Sequence, residues 1–278
     1  MEGTPEIDPT IANVARMYDY TLGGTENFAA DREAVHRLIE LAPVFVHSAR
    51  EIRAFLGRAV RELAQAGIRQ FLDIGSGLPT QQNVHQIVHQ VAPGARVIYC
   101  DHDPVVVAHT TALLAGQDNA WMIQRDLRRP EEILDDPVVR AVMDFGEPVA
   151  VLLVAVLHFI ADPDDPAGIV RYLADAIPPG SYMAIAHATE EWHPERREEY
   201  AQTRRLYDQR VSSSFSTRRS QDVTRWLEGT GMEVLDPGAV PVSAWRPARP
   251  GDADGAERTG VFGVAAVKPP RAAAPAGA

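Results

Sequence analysis

The stretch Phe71-Leu72-Asp73-Ile74-Gly75-Ser76-Gly77-Leu78-Pro79-Thr80 constrains this chain more than any other. A short apolar run ends in an acid, a glycine-rich turn follows, and a polar, helix-compatible run begins. Glycine at such a turn lets the backbone approach a ligand with no Cβ in the way. The layout predicts the first βα unit of a Rossmann-like sheet, with an adenosine-containing ligand held at the turn. The next apolar run, Ala95 to Cys100, closes on a second acid, Asp101. That is the strand end where ligands bind in open α/β sheets.

The ligand chemistry follows from what the turn lacks. The dinucleotide pattern GxGxxG needs a third glycine where this chain has Thr80, and Pro79 has no amide to give a pyrophosphate. S-adenosylmethionine (SAM) carries no phosphate and needs only a close approach, so the turn and the two acids point to it. Asp73 could accept hydrogen bonds from loop amides or from the methionine ammonium. Asp101 could accept from both ribose hydroxyls. Asp126, at the end of a third apolar run, could accept from the adenine amino group while the Leu127 amide donates to the ring. Asp103 stands before Pro104 and reads more simply as a helix N-cap.

From Gln70 onward strands and helices alternate. Strands are expected near 70–74, 96–100, 120–125, 149–156 and 181–187, with helices near 80–91, 104–115, 130–143 and 166–177. Alternation of this kind predicts a mostly parallel sheet covered on both faces. Two last strands are expected at Met232–Leu235 and Gly260–Val267, making seven. Ahead of the sheet, Ile11–Tyr20 reads as a short helix. A second helix starts at Asn27 or Asp31, and a third carries Phe45, Ala49, Ile52, Phe55, Leu56, Ala59, Val60 and Leu63 as one apolar stripe. Residues 191–211 read as a charged, solvated helix or, alternatively, an arm that touches an anionic acceptor, and Pro247–Gly260 reads as a mobile loop. The expected organisation is an N-terminal helical extension or lid (residues 1–66), a ligand-binding domain (67–268) and a disordered tail (269–278).

Composition removes several function classes. A net charge of -11 argues against nonspecific binding to nucleic acid, which needs a basic face. The single cysteine, Cys100, excludes an internal disulfide and a cysteine-based zinc cluster. His85 and His89 share a helix face but lack a third ligand, so no metal site is expected. Val149–Leu157, the longest apolar run, is too short to span a membrane, and the acidic N-terminus lacks signal-peptide features. A cytoplasmic location is the default.

Two histidines close strands where an acceptor could sit: His158 after the central strand and His187 after the fifth. Either could be a general base or a hydrogen-bonded wall residue. Tyr20, just before the flexible pair Gly23-Gly24, could close over the cofactor or acceptor, or could simply pack its helix onto the sheet.

The chain resembles the class I SAM-dependent methyltransferases. More specifically it is similar to an actinobacterial family of such enzymes long known as a domain of unknown function. The resemblance runs roughly from Pro9 to Val267. It is carried by Ala15–Gly24 with Asn27–Arg32, by Phe71–Thr80, by Asp101–Val106 and by Leu153–Ile160. It implies a Rossmann-like α/β fold and methyl transfer from SAM to a small-molecule acceptor. It also implies that Gly75, Ser76 and Gly77 line the methionine end, Asp101 the ribose, and Asp126 with Leu127 the adenine. His102 would flank the adenine, and Val154 and Ala155 would pass close to the sulfonium. Pro79 replaces the last glycine of the usual class I loop, and Val149 stands where many members carry an acid. Two other readings stay open: a non-catalytic SAM-binding sensor or partner subunit and, with less support, an NAD-dependent oxidoreductase.

Overall fold

The computed structural model describes residues 8–79, 82–211 and 213–270. The expectations for residues 1–7, for a helix starting at Thr80, and for the tail from 271 lie outside them. Three helices come first: α1 (Val14–Thr21), α2 (Ala29–Leu41) and α3 (Phe45–Gln65). The alternating part follows as β1 (Gln70–Ile74), α4 (Val84–Val91), β2 (Arg96–Asp101), α5 (Pro104–Leu113) and β3 (Ala120–Gln124). It continues as α6 (Pro130–Leu134), α7 (Pro137–Val142), β4 (Ala150–Val154), α8 (Pro166–Ala176) and β5 (Tyr182–Ala188). The chain ends with α9 (Arg197–Arg210), α10 (Ser220–Glu228), β6 (Glu233–Val234), β7 (Val240–Pro241) and β8 (Val261–Val267).

The strands form one mixed sheet in the order β3-β2-β1-β4-β5-β8-β6. The first five in that order run parallel, and β8 enters antiparallel beside β5. Among the described residues the sheet has eight strands rather than the seven expected. Its outer edge is built from two short pieces, because β6 pairs with Ala266–Val267 and β7 with Phe262–Gly263 of the same strand. Strand order reverses between β1 and β4, which opens a crevice at their C-terminal ends.

Each strand feeds two cores, as a period of two requires. On one face Leu72, Ile98, Val151 and Leu153 pack under α6, α7, α8 and α10. On the other, Phe71, Val97, Ala150 and Leu152 pack under α3 and α4. From Ile52 onward the expected stripe of α3 is buried there, whereas Phe45 is partly buried and packs on the cap core; Phe55 meets the fully buried Trp245 edge-on at 5.3 Å. Gly263 makes room for that ring, since a Cβ would fall 2.4 Å from it. So α3 is also one of the layers packed on the sheet. The cap is a third, smaller core made by α1, α2 and α9, with Met17, Val35, Leu38 and Tyr207 inside. Residues 250–259, expected as a loose loop, form two short 3₁₀ turns, and the second is pinned where Ser48 Oγ donates to Thr259 O at 2.6 Å.

Candidate active site

One cavity of ≈ 330 Å³ lies at the crevice between the strand ends and the cap. All ten residues expected to touch the cofactor line it: Asp73, Gly75, Ser76, Gly77, Asp101, His102, Asp126, Leu127, Val154 and Ala155. The glycine turn is anchored to β2 through Gly75 N and Ser76 N, both donating to Cys100 O. Gly75 has φ +73°, and a Cβ on it would strike Val156 at 2.3 Å, so only glycine fits.

Asp101 is buried, and its two oxygens accept from the amides of Gly77 (2.9 Å) and Asp103 (3.0 Å). The acid of β2 therefore holds the β1 turn in place besides facing the ligand. Burial raises its pKa, and the two amides oppose that rise. Burial also pushes Asp73 up to about 7, with the Arg53 guanidinium working against it. Asp103 is an N-cap, as expected: Oδ1 accepts from Val105 N. Its Oδ2 and the Ser76 hydroxyl line the cavity region buried and without a hydrogen-bond partner among the described residues. Unpaired buried polar atoms await a polar ligand. Three closely placed carboxylates (Asp73, Asp101 and Asp103) suit hydroxyls and a cation, and would repel a pyrophosphate. The site thus fits SAM and not a dinucleotide.

Asp126 is less open than the sequence suggests. Burial acts to raise its pKa, but bonds from Arg128 outweigh that and hold it below the usual carboxylate value. Arg128 contacts both carboxylate oxygens, at 2.5–3.0 Å. His102 is more exposed and sits 3.6 Å from Asp101. At the end of β4, Ala155 adopts φ +60°, a conformation that costs a non-glycine residue. This turns the chain into a 3₁₀ turn, Leu157–Phe159, that brings His158 to the cavity.

The three catalytic candidates separate. His158 lines the cavity; it is buried, and burial followed by the nearby His187 and Arg218 keeps its pKa well below normal. His187 does not line the cavity. It is fully buried, with Nδ1 on Ala188 O at 2.8 Å and Nε2 accepting from Arg218 at 3.0 Å. Burial takes its pKa down to about 3. With both nitrogens engaged, it is a brace in the protein interior. Tyr20 does not line the cavity either; its hydroxyl meets His36 at 2.9 Å. Its neighbour Tyr18 lines the cavity instead, donating to Ala49 O at 3.0 Å. One helical turn carries Ala15 and Tyr18 onto the site, and Met17, which also borders the cavity, enters the cap core. His85 and His89 are each bonded to protein oxygens, Tyr99 Oη and Ala95 O.

Sequence reasoning missed a second wall of the cavity. Arg53 reaches it from α3, and Phe45, Tyr200, Tyr207 and Phe215 reach it from the cap side. Phe45 belongs to the expected apolar stripe of α3, but nothing local assigned it or the others to the cavity, because they converge from distant segments. The helical period of Tyr200, Thr203 and Tyr207 within the charged α9 was the one available signal.

A family model described as S-adenosyl methyltransferase matches residues 1–269. A Thermobifida fusca protein described as a candidate methyltransferase is 36% identical, with a TM-score of 0.87 over 95% of this chain and 98% of that one. A DUF574 family protein from Streptomyces avermitilis is 38% identical, with a TM-score of 0.88 over 95% of this chain and all of its own. An O-methyltransferase family protein from Burkholderia thailandensis shares the fold alone, at 12% identity and a TM-score of 0.52 over 82% of this chain and 60% of that one. The search of curated proteins found no match.

Proposed function

The chain belongs to the S-adenosyl methyltransferase family, and from that premise we propose that it methylates a small-molecule acceptor bound between the strand ends and the helical cap. It is a SAM-dependent methyltransferase with a class I fold. The observation that carries the finer reading is the continuity of the cavity. It runs from Asp101 past Val154 and Ala155 to His158, Tyr207 and Phe215. A protein that only sensed SAM would need no room beyond Val154. The net charge of -11 supports an acceptor other than nucleic acid. No helix among the described residues is long and apolar enough to cross a membrane. A cytoplasmic location belongs to the same proposal.

When bound, SAM supplies a methyl group on a cationic sulfur. In this reading Asp73 and the glycine turn hold the methionine end, Asp101 orients the ribose, and Asp126 with Leu127 orients the adenine. Arg128 holds Asp126 ionised and aimed. Residues 1–66 are an N-terminal extension of which α1 and α2, joined by α9, act as the cover. Excluding water and aligning the two reactants is the main contribution of the protein, and such positioning can supply roughly 7–11 kcal/mol. Calorimetric titration with S-adenosylhomocysteine, with NAD as the control, tests the reading. Micromolar binding of the first alone is expected. Binding of NAD, or of neither, by folded protein would overturn it.

A further inference from the structure

The cavity has two chemically different ends. At the strand ends it is acidic and hydrogen-bonding. Toward the cap it is walled by rings: Phe45, His158, Phe159, Tyr200, Tyr207 and Phe215. Tyr207 and Phe215 stack at 5.1 Å, Phe159 lies 5.7 Å from Tyr207, and His158 lies 4.3 Å from Phe159 and 5.5 Å from Phe215. Phe45, Phe159 and Phe215 are only partly buried, so each keeps surface open to the cavity. The charged pair in this lobe, Arg196 and Glu199, is closed on itself at 2.7 Å. It offers little net charge to a ligand. Polar groups remain in this lobe, among them the Tyr200, Thr203 and Tyr207 hydroxyls and the His158 ring. The Tyr207 hydroxyl makes no hydrogen bond to the described residues, although the residue is only 3% exposed. His158 directs Nδ1 at the Ala188 amide over a long 3.4 Å, which leaves Nε2 without a partner among the described residues.

We propose that the acceptor is a flat, uncharged aromatic molecule bearing an oxygen or nitrogen nucleophile, lodged among Phe159, Tyr207 and Phe215. Ring faces and edges of this kind favour another ring over a saturated skeleton of equal size, because offset and edge-to-face contacts gain from the quadrupole. Tyr207 Oη and His158 Nε2 supply the polar contacts that fix the substituent, since both line the cavity and neither is bonded to a described residue. In the transfer the acceptor atom gives an electron pair to the methyl carbon. The carbon–sulfur bond breaks with its pair staying on sulfur, and any proton on the acceptor leaves to water. This inference rests on the methyltransferase reading of the same cavity.

The test is calorimetry on protein saturated with S-adenosylhomocysteine, using 2-naphthol and its saturated counterpart decahydro-2-naphthol as probes. The aromatic probe is expected to bind about threefold to tenfold more tightly than the saturated one. Phe215→Leu should remove most of that preference and leave the affinity for S-adenosylhomocysteine unchanged. Equal affinity of the two probes, no binding of either, or a preference that survives Phe215→Leu would overturn the aromatic assignment and leave the methyltransferase reading standing. Failure of S-adenosylhomocysteine itself to bind would instead remove the premise, and the inference with it.

Discussion

Asp101 has two tasks at once, and they can be separated. Its oxygens already accept from the amides of Gly77 and Asp103, so the side chain shapes the turn even before a ligand arrives. Asp101→Asn keeps the size but offers one oxygen where the carboxylate has two. It is expected to weaken S-adenosylhomocysteine by about 1.5–3 kcal/mol, the worth of hydrogen bonds to a charged group. Its NH2 also faces one of the two backbone amides that the carboxylate accepted from, so the melting temperature of the ligand-free protein should fall as well, and calorimetry and melting read the two tasks separately. Unchanged affinity in calorimetry would take the ribose assignment away from Asp101. At this scale the sequence was most legible where an acid or glycine closes a strand, because strand ends in such a sheet converge on one crevice. His187 and Tyr20 were not legible. Their hydrogen-bond partners, Arg218 and His36, are set by folding and not by neighbours in the chain.

The turn after β4 shows how an element is held by a residue far away in sequence. Arg218 donates from Nη1 to Leu157 O (3.1 Å) and to His187, and from Nη2 to Ile160 O (2.9 Å) and Asp162 (2.6 Å). One guanidinium thus fixes both ends of the segment that presents His158 and Phe159. Arg218→Met should lower stability in urea by about 1.5–3 kcal/mol, since it strips charged hydrogen bonds from buried carbonyls. Stability equal to wild type would mean that the turn holds itself. Strands and helices themselves were read close to where they lie, because apolar runs and periodic stripes are local. The deviations have local causes too. The central strand stops at Val154 and not 156, since Ala155 turns left-handed. The helix expected over 130–143 is split by Pro137, with Asp136 capping the second piece. The ring-lined wall was not legible, since it needs the start of α3, the turn after β4, α9 and the 213–215 segment folded together.

At the scale of the whole molecule, buried titratable groups set stability against pH in opposite directions. His187 ionises at about 3 in the fold against an ordinary 6.5, and His158 is depressed too. The unfolded chain binds those protons first, so acidification below about pH 6.5 costs stability, at roughly 1.4 kcal/mol per pH unit for each proton. Asp73 does the reverse. Its pKa of about 7 lies above the ordinary 3.8, so the folded protein keeps a proton that the unfolded chain has lost. Its contribution is full below about pH 4 and is lost as pH rises toward 7. In the ligand-free protein the two effects partly cancel over that window. A methionine ammonium docked on Asp73 restores the carboxylate and removes the compensation. The bound protein should therefore lose stability on acidification faster than the free protein. The rise in melting temperature given by saturating S-adenosylhomocysteine is expected to shrink steadily from pH 8 to pH 5, and Asp73→Asn should flatten that trend. A rise that is level across this range in wild type would mean that the ammonium sits elsewhere, and Asp73 would be left as a brace of the glycine turn.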